Sequence, residues 1–317
     1  MGEKNLMWAC FAQLGTNMWN EEGNTLGREH RSTCCASSVL RFERDTWDDY
    51  MRYQKKCGVN TVVIDLGEAM RFDSHPELAV EGSFTKDEMR AEIKRLNEMG
   101  FVVIPKLNFS ATHDIWLKDY SRMLSTPIYY QVCEDIIKET CEVFKPKFFH
   151  IGMDEENADL QRNFYFCAVR QRDLWWHDLY FLVNCVEKQN VRAWVWSDYM
   201  WHHCEEYISK MPKSVLQSNW HYNNDFGCAN EEHSFRIKCF DLLDKHGFDQ
   251  VPTGSNWAAK ENFLSLTKYC AESLSDEHLY GFMQTVWDRI AKPWMPKQYE
   301  AADCILQAKR WYEEYKK

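Results

Sequence analysis

Three consecutive acids, Asp154-Glu155-Glu156, follow an apolar run that ends at Met153. Two adjacent carboxylates can divide the work of acid–base catalysis, one protonating a leaving oxygen while the other steadies the positive centre left behind. Neighbouring carboxylates also raise one another's pKa, which helps hold one of them protonated near neutral pH. Along a strand Asp154 and Glu155 would face opposite sides, but past the last ladder bond the chain can turn both inward, leaving Glu156 outward and solvated. Similar apolar runs end in Asp65 and Glu68, Asn108 and His113, Asp198, His221 and Tyr222, Asn256, and Asp288, with Trp196, Trp220, Trp257 and Trp287 beside them. Acids next to flat apolar rings suit hydrolysis of a glycosidic bond, because ring faces stack on the C–H faces of pyranoses. Helix caps and loops supply some Asp and Asn everywhere, so the argument rests on their convergence.

The elements that would bring these residues together are eight apolar runs: Leu6–Leu14, Thr61–Leu66, Phe101–Leu107, Phe148–Met153, Val191–Trp196, Val215–Trp220, Phe248–Thr253 and Leu279–Val286. Parallel strands buried on both faces read as continuous apolar segments, and eight of them separated by amphipathic stretches are what a (β/α)8 TIM barrel requires. In that fold the C-terminal strand ends share one rim, where reactive groups lie. Thr85-Lys-Asp-Glu88 is a capping box opening a helix that stops at Gly100, and Thr126-Pro127 opens another that ends near Lys145-Pro146. A third helix is expected from Thr46 to Cys57. Asp159–Val186 reads as one long aromatic segment with an extra loop over the cleft, its Trp175-Trp176 serving as either core or lid. The first run leads into Gln13-Leu-Gly-Thr-Asn17, which lacks the Gly-rich phosphate turn of a doubly wound open sheet. No repeat, low-complexity segment or linker divides the chain, so one α/β barrel over residues 1–317 is expected.

The segment Phe144-Lys-Pro-Lys-Phe-Phe-His150-Ile-Gly152-Met-Asp154-Glu155 resembles glycoside hydrolase family 20, the β-N-acetylhexosaminidases, whose fourth strand finishes His-x-Gly-Gly-Asp-Glu. Ile104-Pro105 followed by His113, Trp196-Ser-Asp198, Trp220 and Trp287 extend the resemblance to other strand ends. It implies an exo-acting, substrate-assisted retaining mechanism. Asp154 would orient the 2-acetamido group, Glu155 would be general acid and then base, and His113, linked to Asp65 or Glu68, would tune Glu155. Trp196, Trp220 and Trp287 would wall the sugar pocket, with Asp198 and Asp288 on its hydroxyls and Asn108, Tyr222 and Trp257 completing the substrate-binding set.

The chain departs from that pattern in several places. Trp8–Trp19 holds no Arg to grip sugar hydroxyls, leaving Gln13, Asn17 or another group. Lys106 stands where the family has an acid, Met153 replaces the second Gly, and the family's seventh-strand Tyr has only Trp257, Tyr222 or Tyr199 as counterparts. Two other readings remain open at this level: a TIM-barrel glycosidase using Asp65, Glu68, Asp198 or Asp288 as direct nucleophile, and a carbohydrate-binding barrel without turnover. The net charge of −10, with 48 acids against 38 Lys and Arg, argues against nucleic-acid and anionic-membrane partners. Thirteen cysteines with no CxxC pair read as reduced thiols of a cytoplasmic protein. No cofactor is expected. Adjacent His202 and His203 diverge, and with His221 they make no metal site. His150 reads as a hydrogen-bonded core histidine.

Overall fold

A computed structural model describes residues 6–15, 35–161, 164–227 and 230–317; the expectation placed on Asn17 lies outside them. Eight strands form one parallel sheet: β1 (Met7–Gln13), β2 (Thr61–Asp65), β3 (Val102–Lys106), β4 (Phe148–His150), β5 (Arg192–Trp196), β6 (Leu216–Ser218), β7 (Thr253–Ser255) and β8 (Gly281–Thr285). Their order is β6-β5-β4-β3-β2-β1-β8-β7, and isolated bridges Gln217↔Gln250 and Trp220↔Thr253 join β6 to the β7 side, giving the expected (β/α)8 barrel. The seventh run, read as Phe248–Thr253, forms regular strand only from Thr253. Pro252 has no N–H to give the ladder, so the chain before it makes single bridges.

Helices α1 (Arg44–Lys56), α2 (Lys86–Glu98), α3 (Pro127–Phe144), α4 (Ala158–Gln161), α5 (Asp173–Glu187), α6 (Cys204–Lys210), α7 (Glu231–Lys245), α8 (Asn262–Ser273) and α9 (Met295–Tyr315) lie between and after the strands. Thr85 and Glu88 form the reciprocal cap expected for α2, and Thr126 caps α3 ahead of its N-terminal Pro. The segment Asp159–Val186 holds α4 and α5 with a loop between them, from which Arg170 bonds the β3 and β4 loops. Trp175 and Trp176 are both buried, which makes them core. No helix among the described residues is long and apolar enough to cross a membrane, and the described cysteines are free thiols.

Strand periodicity divides the core in two. Ala9 and Phe11, Val63, Ile104, Trp194, Leu216, Val251 and Met283 fill the barrel interior, while the alternate residues pack against the helices. Two residues beyond an inward apolar side chain, the same face carries Gln13, Asp65 and Lys106 at the mouth. Asp65 and Lys106 are directly opposite in the β2–β3 register, and Lys106 Nζ donates to Asp65 Oδ2 at 2.9 Å, 5.1 Å above the Phe11 ring centroid. Burial pushes the Asp65 carboxyl up, and the Lys106 charge pulls it back. The Lys106→Met variant leaves Asp65 buried without its counter-charge and should lose about 3–5 kcal/mol in urea unfolding, whereas Lys106→Met/Asp65→Leu should recover most of that.

Candidate active site

β4 ends in a turn that undoes strand alternation. Gly152, Met153 and Glu155 have φ of 74°, 74° and 52°, in the left-handed region, and this rotates both Asp154 and Glu155 toward the β3 loop. At Gly152 a Cβ would lie 2.0 Å from Asn108 Oδ1, so only glycine fits. Met153 holds a conformation that costs a non-glycine residue about 1–2 kcal/mol. Both acids meet His113, whose Nε2 lies 3.4 Å from Asp154 Oδ2 and 3.3 Å from Glu155 Oε2. Burial of His113 disfavours its cation, but the Asp154 charge and the Glu155 hydrogen bond outweigh that and raise its pKa.

The dyad is braced on each side. Asn108 Nδ2 donates to Asp154 Oδ1 at 2.8 Å, and its own Oδ1 accepts from the backbone N–H of Ser110 and Met153. The Ser110 hydroxyl donates to the Asp154 carbonyl. Across the mouth, Asp198 Oδ2 accepts from the Glu155 backbone N–H at 2.8 Å, and its Oδ1 accepts from Trp220 Nε1 at 3.4 Å. Burial, with the Asp154 charge adding to it, pushes the Asp198 carboxyl up to about 7.

Glu156 was expected to be solvated, but its side chain is 2% exposed and paired with Arg170 at 2.9 Å. Arg170, itself buried, also donates to Asp178 Oδ2 at 2.6 Å, to the Phe109 carbonyl at 3.0 Å and to the Tyr129 hydroxyl at 2.7 Å. One guanidinium thus ties the β4 loop to the β3 loop, α3 and α5, which is why the third acid turns inward. Nothing in the sequence around Arg170 marked it, because its partners are spread over four elements.

Of the expected wall, Trp196, Trp220, Tyr222 and Trp287 come together with Phe11. Trp220 stacks on Tyr222 at 4.8 Å between centroids, Tyr222 lies 6.4 Å from Trp287, and Trp287 lies 6.1 Å from Trp196 and 5.1 Å from Phe11. Burial raises the Tyr222 phenol pKa well above its usual value, with the charges of Glu155 and Asp154 adding to the effect. Trp257 stands 51% exposed on the rim. Asp65 is held by Lys106, Glu68 is buried beside Gly15, and Asp288 Oδ2 accepts from Lys297 Nζ at 3.2 Å. His150 is a core histidine with its Nδ1 accepting from Gly152 N–H, and burial holds its pKa well below the usual value. Ligand atoms of His113, Asp154 and Glu155 all lie within 4.8 Å of one another, a spacing that a shared proton or a cation could occupy.

Two outcomes follow from this geometry. Gly152→Ala should drive a methyl into Asn108, break its bond to Asp154, and lower both thermal stability and any activity of the dyad. Asp198, and Asp114, which burial also pushes up to about 7, stay protonated in the fold while ionising in the unfolded chain. The folded state therefore binds more protons between about pH 4 and 7, and stability falls as pH rises through that window. Tm should drop from pH 5 to pH 8, and the drop should be smaller in Asp198→Asn.

No protein-family model matches the chain. A 143-residue stretch is 23% identical to a lacto-N-biosidase of Bifidobacterium bifidum, covering 40% of this chain and 13% of that protein. Among solved structures, the β-N-acetylhexosaminidase of Bacteroides fragilis NCTC 9343 superposes with a TM-score of 0.63 at 12% identity, over 98% of this chain and 71% of that one. A mutant Streptomyces plicatus β-hexosaminidase in complex with product GlcNAc gives 0.64 at 11%, over 98% and 69%. For the exo β-N-acetylglucosaminidase of Vibrio harveyi in complex with N-acetylglucosamine the values are 0.63 and 12%, over 98% and 58%. Over nearly its whole described length the chain shares its fold with β-N-acetylhexosaminidases of glycoside hydrolase family 20.

Proposed function

We propose that the chain is an exo-acting glycoside hydrolase of the β-N-acetylhexosaminidase kind, with Glu155 as general acid and base and Asp154 orienting the substrate's 2-acetamido group. The observation that carries this reading is the single His113 nitrogen within 3.4 Å of both carboxylates. A terminal pyranose sits between Trp196, Trp220 and Trp287. Asp154, its Oδ1 held by Asn108, accepts the acetamide N–H and turns the acetamide oxygen toward the anomeric carbon. That oxygen attacks as Glu155 protonates the glycosidic oxygen, and the leaving group departs. Glu155 then takes a proton from water, which attacks the cyclic intermediate and opens it with net retention. His113 shares its proton with the pair and follows the charge on Glu155.

A direct carboxylate nucleophile finds less support, because the other acids of the mouth are already engaged. Asp65 is paired with Lys106, Asp288 with Lys297, and Asp198 with the Glu155 N–H and the Trp220 indole. The likeness to a lacto-N-biosidase covers less than half of this chain and supports the glycosidase reading in its coarser form.

Aryl β-GlcNAc or β-GalNAc should be hydrolysed, and aryl β-glucoside and β-galactoside should not. A thiazoline analogue of the cyclic intermediate should inhibit. Glu155→Gln should lower kcat by about 10²–10⁴ on a substrate whose leaving group needs protonation, and EDTA should leave the rate unchanged. Turnover of plain galactosides, or full activity in Glu155→Gln, would overturn the mechanism; sugar binding without any hydrolysis would favour a lectin-like barrel.

A further inference from the structure

We propose that His113, Asp154 and Glu155 form a site for a zinc-like divalent cation, and that its occupation switches the enzyme off. The second half of this inference rests on the hydrolase reading above. A four-coordinate zinc ion holds nitrogen and carboxylate ligands about 2.0–2.2 Å away, which sets tetrahedral ligand atoms about 3.3–3.6 Å from one another. His113 Nε2 stands 3.4 Å from Asp154 Oδ2 and 3.3 Å from Glu155 Oε2, so two edges of that tetrahedron are in place. Ligand atoms of all three residues lie within 4.8 Å of one another, and a turn of the Glu155 carboxylate closes the third edge. Glu155 is the outermost ligand, its side chain 31% exposed against 1% for His113 and 9% for Asp154. The cation enters on that side and keeps its water there.

Charge points the same way. Asp154 and Glu155 carry two negative charges when ionised, and one imidazolium neutralises only one of them. Lys106 is committed to Asp65, and Arg170 to Glu156 and Asp178, so a divalent cation supplies what these side chains do not. The outer contacts suit metal ligands as well. Asn108 Nδ2 holds Asp154 Oδ1 and leaves Oδ2 toward His113, while Asp198 fixes the Glu155 backbone. One imidazole nitrogen with two carboxylate oxygens fits zinc better than calcium, which takes about six to eight oxygens, or magnesium, which keeps several waters in an octahedron. A cation held here ties up both carboxylates that the reaction uses, so sugar and zinc exclude each other.

Zinc affinity is measured by competition with a chromophoric chelator, on protein whose accessible thiols, Cys167 among them, have been alkylated. Wild type should bind one zinc. Asp154→Asn and Glu155→Gln, near-isosteric and checked for folding by melting without metal, should each bind it more than about tenfold more weakly. Cobalt in place of zinc should give the intense visible absorption of a tetrahedral ion in wild type and lose it in both variants. Zinc should raise the apparent KM for the acetamido aryl glycoside without lowering kcat, EDTA should reverse this, and magnesium should have no effect. Affinity within twofold of wild type in both variants, no binding by wild type at micromolar zinc, or a wild-type cobalt spectrum without the tetrahedral band overturns the site. Zinc binding that leaves turnover unchanged overturns the switch, and equal inhibition by magnesium overturns the preference for zinc. Binding and the cobalt spectrum need no substrate, so a chain that takes zinc but hydrolyses nothing overturns the hydrolase reading and the switch while the site stands.

Discussion

Neighbouring residues on a strand face opposite ways, and the mouth of this barrel is organised around reversing that rule between Asp154 and Glu155. Three left-handed residues in four positions do it, and each needs something to hold it there. Gly152 lets Asn108 come close, and Asn108 in turn anchors Met153 N–H and the Asp154 carboxylate. Asp198 fixes the Glu155 backbone from the other side. Backbone strain persists only where the surroundings over-determine it, and here they do so by hydrogen bonds to the turn itself.

Charge compensation follows from the same crowding. Gathering acids at a buried rim is unfavourable unless each is neutralised, and the fold applies different solutions to different acids. Asp65 has a lysine across the ladder, Glu156 an arginine brought from the next loop, and Asp198 a raised pKa. Asp154 and Glu155 share one imidazole. Lys106, which departs from the resembled family's pattern, is thereby explained as the counter-ion of Asp65. The formal charge of the whole chain says little about this local arrangement.

Much of the barrel was legible because its signals are local. The continuous apolar runs, the Thr85 capping box and the Thr126-Pro127 start each depend on residues within a few positions. The acid pair and the tryptophans were legible as strand-end residues on one rim. What escaped has its cause at long range. Glu156 reads as a solvated acid until Arg170 arrives from a loop that also bonds the β3 loop, α3 and α5. The β7 boundary shifted because one proline outweighs an apolar pattern. Trp175 and Trp176, adjacent on one helix, could each face either way, and only packing against Tyr199 and Tyr207 settles both inward.

Pro252 lies where the barrel closes on itself. The seam between β6 and β7 has no regular ladder, yet backbone N–H groups of Gln217, Val251, Thr253 and His221 each bond across it, to the carbonyls of Asp249, Gln217, Asn219 and Thr253. Trp220 sits on that seam through its bridge to Thr253. One wall of the aromatic pocket is therefore mounted on the line that closes the cylinder, and the acids stand three strands from β7, at the end of β4.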